Sequence, residues 1–164
     1  MSGQDHTGPE PVNARIFPIP PAVAGLFIAA GFALNHLVPL VERSGPAPFE
    51  SRIAGGAIMA CALAIAGSAF LEMRKLKTTF HPGGKATALV QSGVFRRTRN
   101  PMYLSLTLLT LGLGIATANP WTILLAPLLL FYLQERVVKR EEAYLALRFG
   151  AAYEAYRRQV RRWF

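Results

Sequence analysis

Three long stretches without a charged residue constrain the fold of this chain more than any other feature. No Asp, Glu, Lys or Arg occurs from Ile16 to Val41, from Ile53 to Leu71, or from Asn100 to Gln134. About 20 helical residues cross the roughly 30 Å of bilayer hydrocarbon, so each stretch is long enough to span it. A hydrophobic share of 52% is also too high for an ordinary soluble domain of 164 residues. The sequence therefore predicts an all-α, polytopic membrane protein with a single domain.

The third stretch contains its own turn signal. As one helix it would be about 50 Å long, which exceeds a single crossing. Asn119-Pro120 in its middle predicts a tight hairpin of two helices, with Trp121 at the membrane interface. We therefore expect about four transmembrane helices, the third and fourth forming this hairpin. Their expected bounds are residues 21–41, 53–72, 102–118 and 121–134.

The segments outside these spans are polar. Residues 1–15 lack apolar periodicity, which predicts a flexible tail. Residues 74–99 contain His81-Pro82-Gly83-Gly84, and so many helix breakers predict a loop. Its length indicates a segment that is either functional or disordered.

Residues 135–164 have helical character. Gly150 is expected to end the first helix of this region as its C-cap. Glu135 and Glu142 are seven positions apart, so a regular helix would place them on one face. The final residues, Arg161–Phe164, are cationic and aromatic, which predicts an anchor at the membrane interface.

The net charge of +9 is distributed as in a membrane protein. With four spans, only Arg43 and Arg52 of the 18 Lys and Arg residues fall on one side. The positive-inside rule then places both termini and the polar segments in the cytoplasm, and we expect the inner membrane of a bacterium. A nucleic-acid partner is not expected, because a basic face for nucleic acid would leave the apolar spans unexplained. The expected surroundings are membrane lipids.

Three arginines precede the predicted start of the third span. Asn100-Pro101 is typical of a helix start, with Asn100 as N-cap and Pro101 in the first turn. The free N–H groups of that turn lie next to Arg96, Arg97 and Arg99, which favours binding of a carboxylate or phosphate. The alternative is a positively charged anchor at the level of the lipid head groups.

Several kinds of site are excluded by the motifs that are missing. The sequence has no Gly-rich phosphate loop, no His-Glu-x-x-His and only one cysteine, Cys61, so neither a soluble dinucleotide fold nor a metal site is expected. A pocket between the loop, the start of the third span and the helix from Glu135 remains. Its cluster Arg140-Glu141-Glu142 is either a solvated face or a binding site. In a site, carboxylates would bind the ammonium and ribose hydroxyls of a nucleotide-like cofactor, and arginines its carboxylate.

A family resemblance rests on this half of the chain. The run Gly93-Val94-Phe95-Arg96-Arg97-Thr98-Arg99-Asn100-Pro101-Met102-Tyr103, then Glu141-Glu142, Phe149-Gly150, Tyr153, Tyr156 and Arg162-Trp163, resembles the isoprenylcysteine carboxyl methyltransferases and the related phospholipid methyltransferases. The resemblance implies a membrane enzyme that transfers a methyl group from S-adenosylmethionine to a lipophilic acceptor. The acceptor would be a lipid or a prenylated compound carrying a carboxylate, amine or hydroxyl, and it would reach the site from the bilayer.

The resemblance also implies site residues. The implied cofactor-binding residues are His81, Gly93, Val94, Arg99, Asn100, Pro101, Tyr103 and Glu141. The candidate catalytic residues are Arg140, to orient the acceptor, and Glu142 or Glu135, to accept a proton from an amine or phenol. A carboxylate acceptor would need no base. Asn100 stands where the family frequently has His, which puts a proton-transfer role at that position in doubt.

Two other functions remain open at this stage. Membrane sterol reductases resemble the same half of the chain and bind NADPH in a similar pocket, although they generally have more spans. A non-catalytic membrane scaffold would use the charged ends to meet anionic lipids. Comparing the binding of NADPH and S-adenosylmethionine distinguishes the reductase, and tolerance of substitutions at Asn100 and Glu142 distinguishes the scaffold.

Overall fold

The computed structural model describes residues 19–41, 45–76 and 87–164, and every regular element in these ranges is helical. The expected tail and His81 lie outside the described residues. The helices are α1 (Pro20–Leu37), α2 (Phe49–Lys75), a 3-10 turn (Gly93–Arg96), α3 (Pro101–Ala116), α4 (Pro120–Leu133), a π-helical turn (Gln134–Val138), α5 (Lys139–Phe149) and α6 (Ala151–Gln159).

The all-α, polytopic prediction is confirmed. Three helices are long and apolar enough to cross a membrane: α1, α2 and the continuous helix Pro120–Phe149, which includes α4 and α5. The apolar helix α3 is shorter, at 16 residues. Much of the surface of α1 and α2 is apolar and exposed, as in helices that face lipid.

The predicted hairpin is present, and its turn is held by side chains. Asn119 caps α4, because its Oδ1 accepts a hydrogen bond from the backbone N–H of Thr122 at 3.1 Å. Trp121 donates from Nε1 to the carbonyl of Val38 at 2.7 Å, which ties the start of α4 to the end of α1. The second arm continues beyond the hairpin into α5 and so forms part of a longer helix, whereas the first arm, α3, ends at Ala116.

Glycines allow the helices to approach closely. Helix α3 lies between α2 and α4, and α1 packs against α4. A Cβ atom added to Gly112 of α3 would lie 2.8 Å from Cγ of Met59 and 2.9 Å from the carbonyl oxygen of Gly55. Since real Cβ contacts are longer, the α2–α3 interface requires glycine at this position.

The polar half, residues 87–100 and 134–164, covers one end of this bundle. Gly150 ends α5 with φ of +50°, as predicted for a C-cap, and α6 begins there. Helix α6 packs over the 3-10 turn, where the hydroxyl of Tyr156 donates to the carbonyl of Phe95 at 2.7 Å.

The segment of the expected interface anchor, Arg161–Phe164, also makes contacts within the protein. Arg162 forms hydrogen bonds with Glu142, and the Nε1 of Trp163 donates to Oε1 of Gln134 at 2.9 Å. Both side chains are half-buried, and contact of this segment with the membrane stays a prediction. Phe164 alone of this segment is a largely exposed aromatic residue.

Candidate functional site

A three-residue ion cluster lies at the centre of the polar half. The carboxylate of Glu142 accepts hydrogen bonds from Arg162 at 3.0 Å (Nε to Oε1) and 2.7 Å (Nη2 to Oε2). The Nη1 of Arg99 lies 3.2 Å from Oε1 of the same carboxylate. The side chains of Arg99 and Glu142 are only 9% and 12% exposed. The hydrogen bonds to Glu142 also raise the pKa of Arg162, so this guanidinium stays charged.

Arg99 has partners from three parts of the chain. Its Nη1 also donates to the hydroxyl of Tyr153 at 3.1 Å, and its backbone N–H donates to the carbonyl of Arg161 at 3.1 Å. Burial raises the pKa of Tyr153, so its hydroxyl remains neutral. The Nε of Arg99 is buried and has no hydrogen-bond partner among the described residues. A buried unpaired donor is rare in proteins, and here it lies in the candidate site.

Asn100 occupies the N-cap position of α3, as predicted, but its side chain does not cap the helix. Its Nδ2 donates instead to the carbonyl of Arg162 at 3.3 Å, and Oγ1 of Thr98 donates to the same carbonyl at 2.9 Å. The prediction of a side-chain cap was therefore wrong. The physical reason is that the segment around Arg162 lies beside Asn100. The carbonyl of Arg162 accepts the hydrogen bond from the Asn100 amide, which turns this side chain away from the start of α3.

Tyr103 and Glu141 form the other polar contact of the site. The hydroxyl of Tyr103, on the first turn of α3, donates to Oε2 of Glu141 at 2.7 Å. Tyr103 is 3% exposed. This bond joins the start of the hairpin to α5.

Several of these groups line a small cavity of about 90 Å³. Its polar lining consists of Asn100, Arg99, Glu141, Glu142 and the two tyrosines of α6, and its apolar walls include Val90, Phe95 and Leu145. A larger, open groove of about 720 Å³ lies beside it, and Leu89 and Tyr156 line both spaces. Pockets for small ligands commonly measure about 300–1,000 Å³, so a cofactor would need part of the groove as well as the cavity.

The structure brings together some of the predicted site residues and separates others. Arg99, Asn100, Glu141 and Glu142 line the cavity, and Tyr103 is bonded to one of them. Pro101 is buried in the first turn of α3, whereas Gly93 and Val94 lie in the 3-10 turn and do not line the cavity. Arg140 is exposed on α5. Glu135 pairs with Lys139 at 2.7 Å and does not line the cavity.

The prediction that Glu135 and Glu142 share a face assumed a regular helix between them. The π-helical turn Gln134–Val138 contains Glu135, and it shifts the register of everything that follows. Periodicity at 3.6 residues per turn cannot anticipate such a turn.

Sequence reasoning also missed three contacts in and near the site. Arg162 and Tyr153 bind the central ion pair, and Trp163 binds Gln134. The available signals were the Arg162-Trp163 pair in the family resemblance and the spacing of Tyr153 and Tyr156, which predicts one helix face.

The fold and the site define an integral membrane protein with a charged, apolar-walled cavity where a helical hairpin meets its polar half. The chain belongs to the phospholipid methyltransferase family, whose model matches residues 51–152, more than half of the sequence. The family resemblance inferred from the sequence is thereby confirmed.

A curated relative is similar to part of the chain. The protein-S-isoprenylcysteine O-methyltransferase of Schizosaccharomyces pombe is 35% identical over 72 residues, which are 44% of this chain. The match covers 30% of the length of that relative. No solved structure matches the chain.

Proposed function

We propose that this protein transfers a methyl group from S-adenosylmethionine to a lipophilic acceptor held in the membrane. The observation that carries this proposal is the cavity at the start of α3, where Arg99, Glu141 and Glu142 meet apolar walls in a chain of this family. The relative's printed name supports the same class of reaction.

The residues of the cavity fit the chemical groups of this cofactor. Arg99 can pair with its carboxylate, since a guanidinium binds carboxylates with directed N–H groups and the Nε donor has no partner among the described residues. Where the acceptor needs no base, Glu141 can accept from the ammonium or the ribose hydroxyls of the cofactor. Val90, Phe95 and Leu145 provide apolar surface for the adenine ring.

When bound, S-adenosylmethionine supplies a methyl group on a sulfonium, which is a good leaving group. The chain then has to align the acceptor, exclude water and provide a proton acceptor where one is needed. Buried Tyr103 and the apolar walls of the cavity would exclude water from the site.

The contacts favour Glu141 over Glu142 and Glu135 as the proton acceptor for an amine or phenol. Both oxygens of Glu142 already accept from guanidiniums, and Glu135 pairs with Lys139 outside the cavity lining. Glu141 lines the cavity, and the hydroxyl of Tyr103 positions its carboxylate. A carboxylate acceptor would need no base, and an arginine would hold it.

The location we propose follows from charge. The polar half carries most of the basic residues, so the positive-inside rule puts it in the cytoplasm, and we propose the inner membrane of a bacterium. The acceptor would approach from the bilayer.

The test is calorimetric titration of the purified, detergent-solubilised protein with S-adenosylmethionine, S-adenosylhomocysteine and NADPH. We expect the first two to bind and NADPH not to bind. Transfer of radiolabelled methyl groups into the organic phase of a membrane lipid extract is the matching activity assay. Binding of NADPH alone would assign the protein to the reductases, and binding of none of the three would favour a scaffold.

A further inference from the structure

The helix that begins at Pro120 contains one irregular turn, the π-helical turn Gln134–Val138, directly before α5. A π-turn closes i to i+5 hydrogen bonds, so it holds one residue more than an α-helical turn, and such turns are frequent at functional sites. We propose that this surplus residue sets the register of α5 and so delivers Glu141 and Glu142 to the cavity. The inference rests on the proposed function, because the register matters for binding its cofactor.

The burial pattern shows the shift. The buried face of α4 carries Thr122, Ala126, Leu129 and Leu133. A straight α-helix has about 3.6 residues per turn, so from Leu133 it would bring Arg140, Tyr144 and Leu147 to that face. These three residues are exposed in the structure, Leu147 by 84%.

The residues that face inward lie one position later. Glu141 and Leu145 line the cavity in place of Arg140 and Tyr144. Within the π-turn, the consecutive residues Val137 and Val138 are both fully buried. On a regular α-helix, consecutive side chains point about 100° apart, so one face buries fewer of them. Without the surplus residue, Arg140 would take the place of Glu141 and Tyr144 that of Leu145, and Glu142 would turn away from the cavity.

Two side chains hold the irregular turn. The Nε1 of Trp163 donates to Oε1 of Gln134 at 2.9 Å, and Nε2 of Gln134 donates to Oε1 of Glu135 at 3.3 Å. Neither Trp163 nor Gln134 lines the cavity. We therefore assign both as positioning residues, which act on the site through the orientation of α5.

A pair of length variants tests the register. Each added or removed residue rotates the following part of an α-helix by about 100°. Deletion of Arg136, which is exposed in the π-turn, removes the surplus residue and lets the helix run as α-helix with Glu141 still inward. Insertion of one alanine between Lys139 and Arg140 rotates α5 instead: Arg140 takes the place of Glu141, and Glu142 moves from the cavity lining to the exposed place of Ala143.

The expected result is an asymmetry in binding. The deletion variant should bind S-adenosylhomocysteine within about threefold of the unaltered chain, whereas the insertion variant should bind it at least about thirtyfold more weakly. A regular helix would lose affinity equally in both variants, because each change rotates α5 by the same angle. Equal losses in two folded variants would overturn the proposal.

A second measurement does not depend on any cofactor. In a Cys61→Ala background, Arg148→Cys and Ala146→Cys are labelled separately with a water-soluble maleimide. Position 148 is exposed and position 146 half-buried, so Arg148→Cys should react faster in the unaltered and deletion lengths. The insertion moves position 148 to the half-buried place of Phe149 and position 146 to the place of Leu147, which is 84% exposed, so the order should reverse. An order that stays the same in all three lengths would overturn the proposal. If the unaltered chain does not bind S-adenosylhomocysteine, the proposed function fails, and the labelling still decides the register.

Trp163→Phe provides a test that needs no change of length. It keeps an aromatic ring but removes the N–H group that binds Gln134. We expect about tenfold weaker binding of S-adenosylhomocysteine and faster labelling of Leu145→Cys. If both length variants fail to fold, this substitution decides: unchanged binding and unchanged labelling would overturn the proposal.

Discussion

Asn100-Pro101 begins α3 and Asn119-Pro120 begins α4, so the same dipeptide starts both arms of the hairpin. The two prolines have the same backbone role, because proline sets φ for the first turn and has no N–H to leave unpaired. The side chains differ. Asn119 caps its own helix through the N–H of Thr122, whereas Asn100 donates to the carbonyl of Arg162, far along the chain.

The surroundings explain this difference. At the Asn119 end, glycines bring backbones together: the amide of Asn119 also donates to the carbonyl of Gly31 at 3.4 Å. At the Asn100 end, the returning segment around Arg162 supplies a carbonyl, and ion pairs surround the cavity. One end of the hairpin is therefore built for packing, and the other end carries the cavity that we propose binds the cofactor. Substitutions at the two ends should affect different measurements.

The largest effect is expected at the binding end, for Glu142→Gln. The amide leaves the guanidiniums of Arg99 and Arg162 without their shared carboxylate, and loss of one member of a buried ion pair costs about 2–5 kcal/mol. We expect affinity for S-adenosylhomocysteine, measured by calorimetry, to fall at least about thirtyfold.

The matched control for this substitution is Glu154→Gln. It breaks the ion pair of Glu154 with Arg157, which is 3.0 Å long and has side chains 39% and 52% exposed. Such surface pairs contribute about 0–1 kcal/mol, so affinity should not change. Similar losses in both variants would remove the ion cluster from the site.

Gly31→Ala should give the largest effect at the packing end. An added Cβ would lie 2.9 Å from the Cα of Thr122, and overpacking of this kind costs about 1–3 kcal/mol. We expect a lower midpoint of thermal unfolding and unchanged affinity for S-adenosylhomocysteine in the folded protein. Gly25→Ala on the same helix is the control, since its Cβ would meet nothing within 4 Å. Equal unfolding temperatures for the two variants would contradict the close packing of α1 on α4.

The predictable part of this molecule is the part governed by local rules. Uncharged runs, Asn-Pro pairs and Gly150 predicted the spans, the hairpin and the end of α5, because apolar length, proline geometry and glycine's positive φ act within a few residues. Glu141 and Glu142 were singled out by their place in the Arg140-Glu141-Glu142 cluster and by the family resemblance. Both line the cavity, and their roles stay predictions.

The contacts that organise the site were not predictable in the same way. Arg162 and Trp163 return to the start of α3 and to the π-turn from more than twenty residues away, and no local pattern encodes such a return. Register is the clearest case. The spacing of seven between Glu135 and Glu142 predicts a shared face only for a regular helix, and the π-turn that interrupts this helix has no signal in the local sequence pattern.

Smaller effects are expected when each asparagine is replaced by alanine: one substitution should change stability and the other affinity. Asn119→Ala removes a helix cap, which costs about 0.5–2 kcal/mol, and should lower the unfolding midpoint without changing affinity. Asn100→Ala removes no helix cap, because the side chain of Asn100 does not cap α3. It should lower affinity for S-adenosylhomocysteine about fivefold, with little change in the unfolding midpoint. Thermal unfolding and calorimetry on both variants check the pattern, and the same loss in both measurements for both variants would contradict it.

The smallest effect is expected for Asn100→His, which restores the side chain that is frequent at this position in the resembling families. An imidazole N–H can donate to the carbonyl of Arg162 as the amide does. Affinity for S-adenosylhomocysteine should therefore stay within about threefold of the unaltered chain and exceed that of Asn100→Ala. If histidine and alanine weaken binding equally, the hydrogen bond to Arg162 is not what Asn100 contributes, and the two asparagines would then differ only in the cap that Asn119 provides.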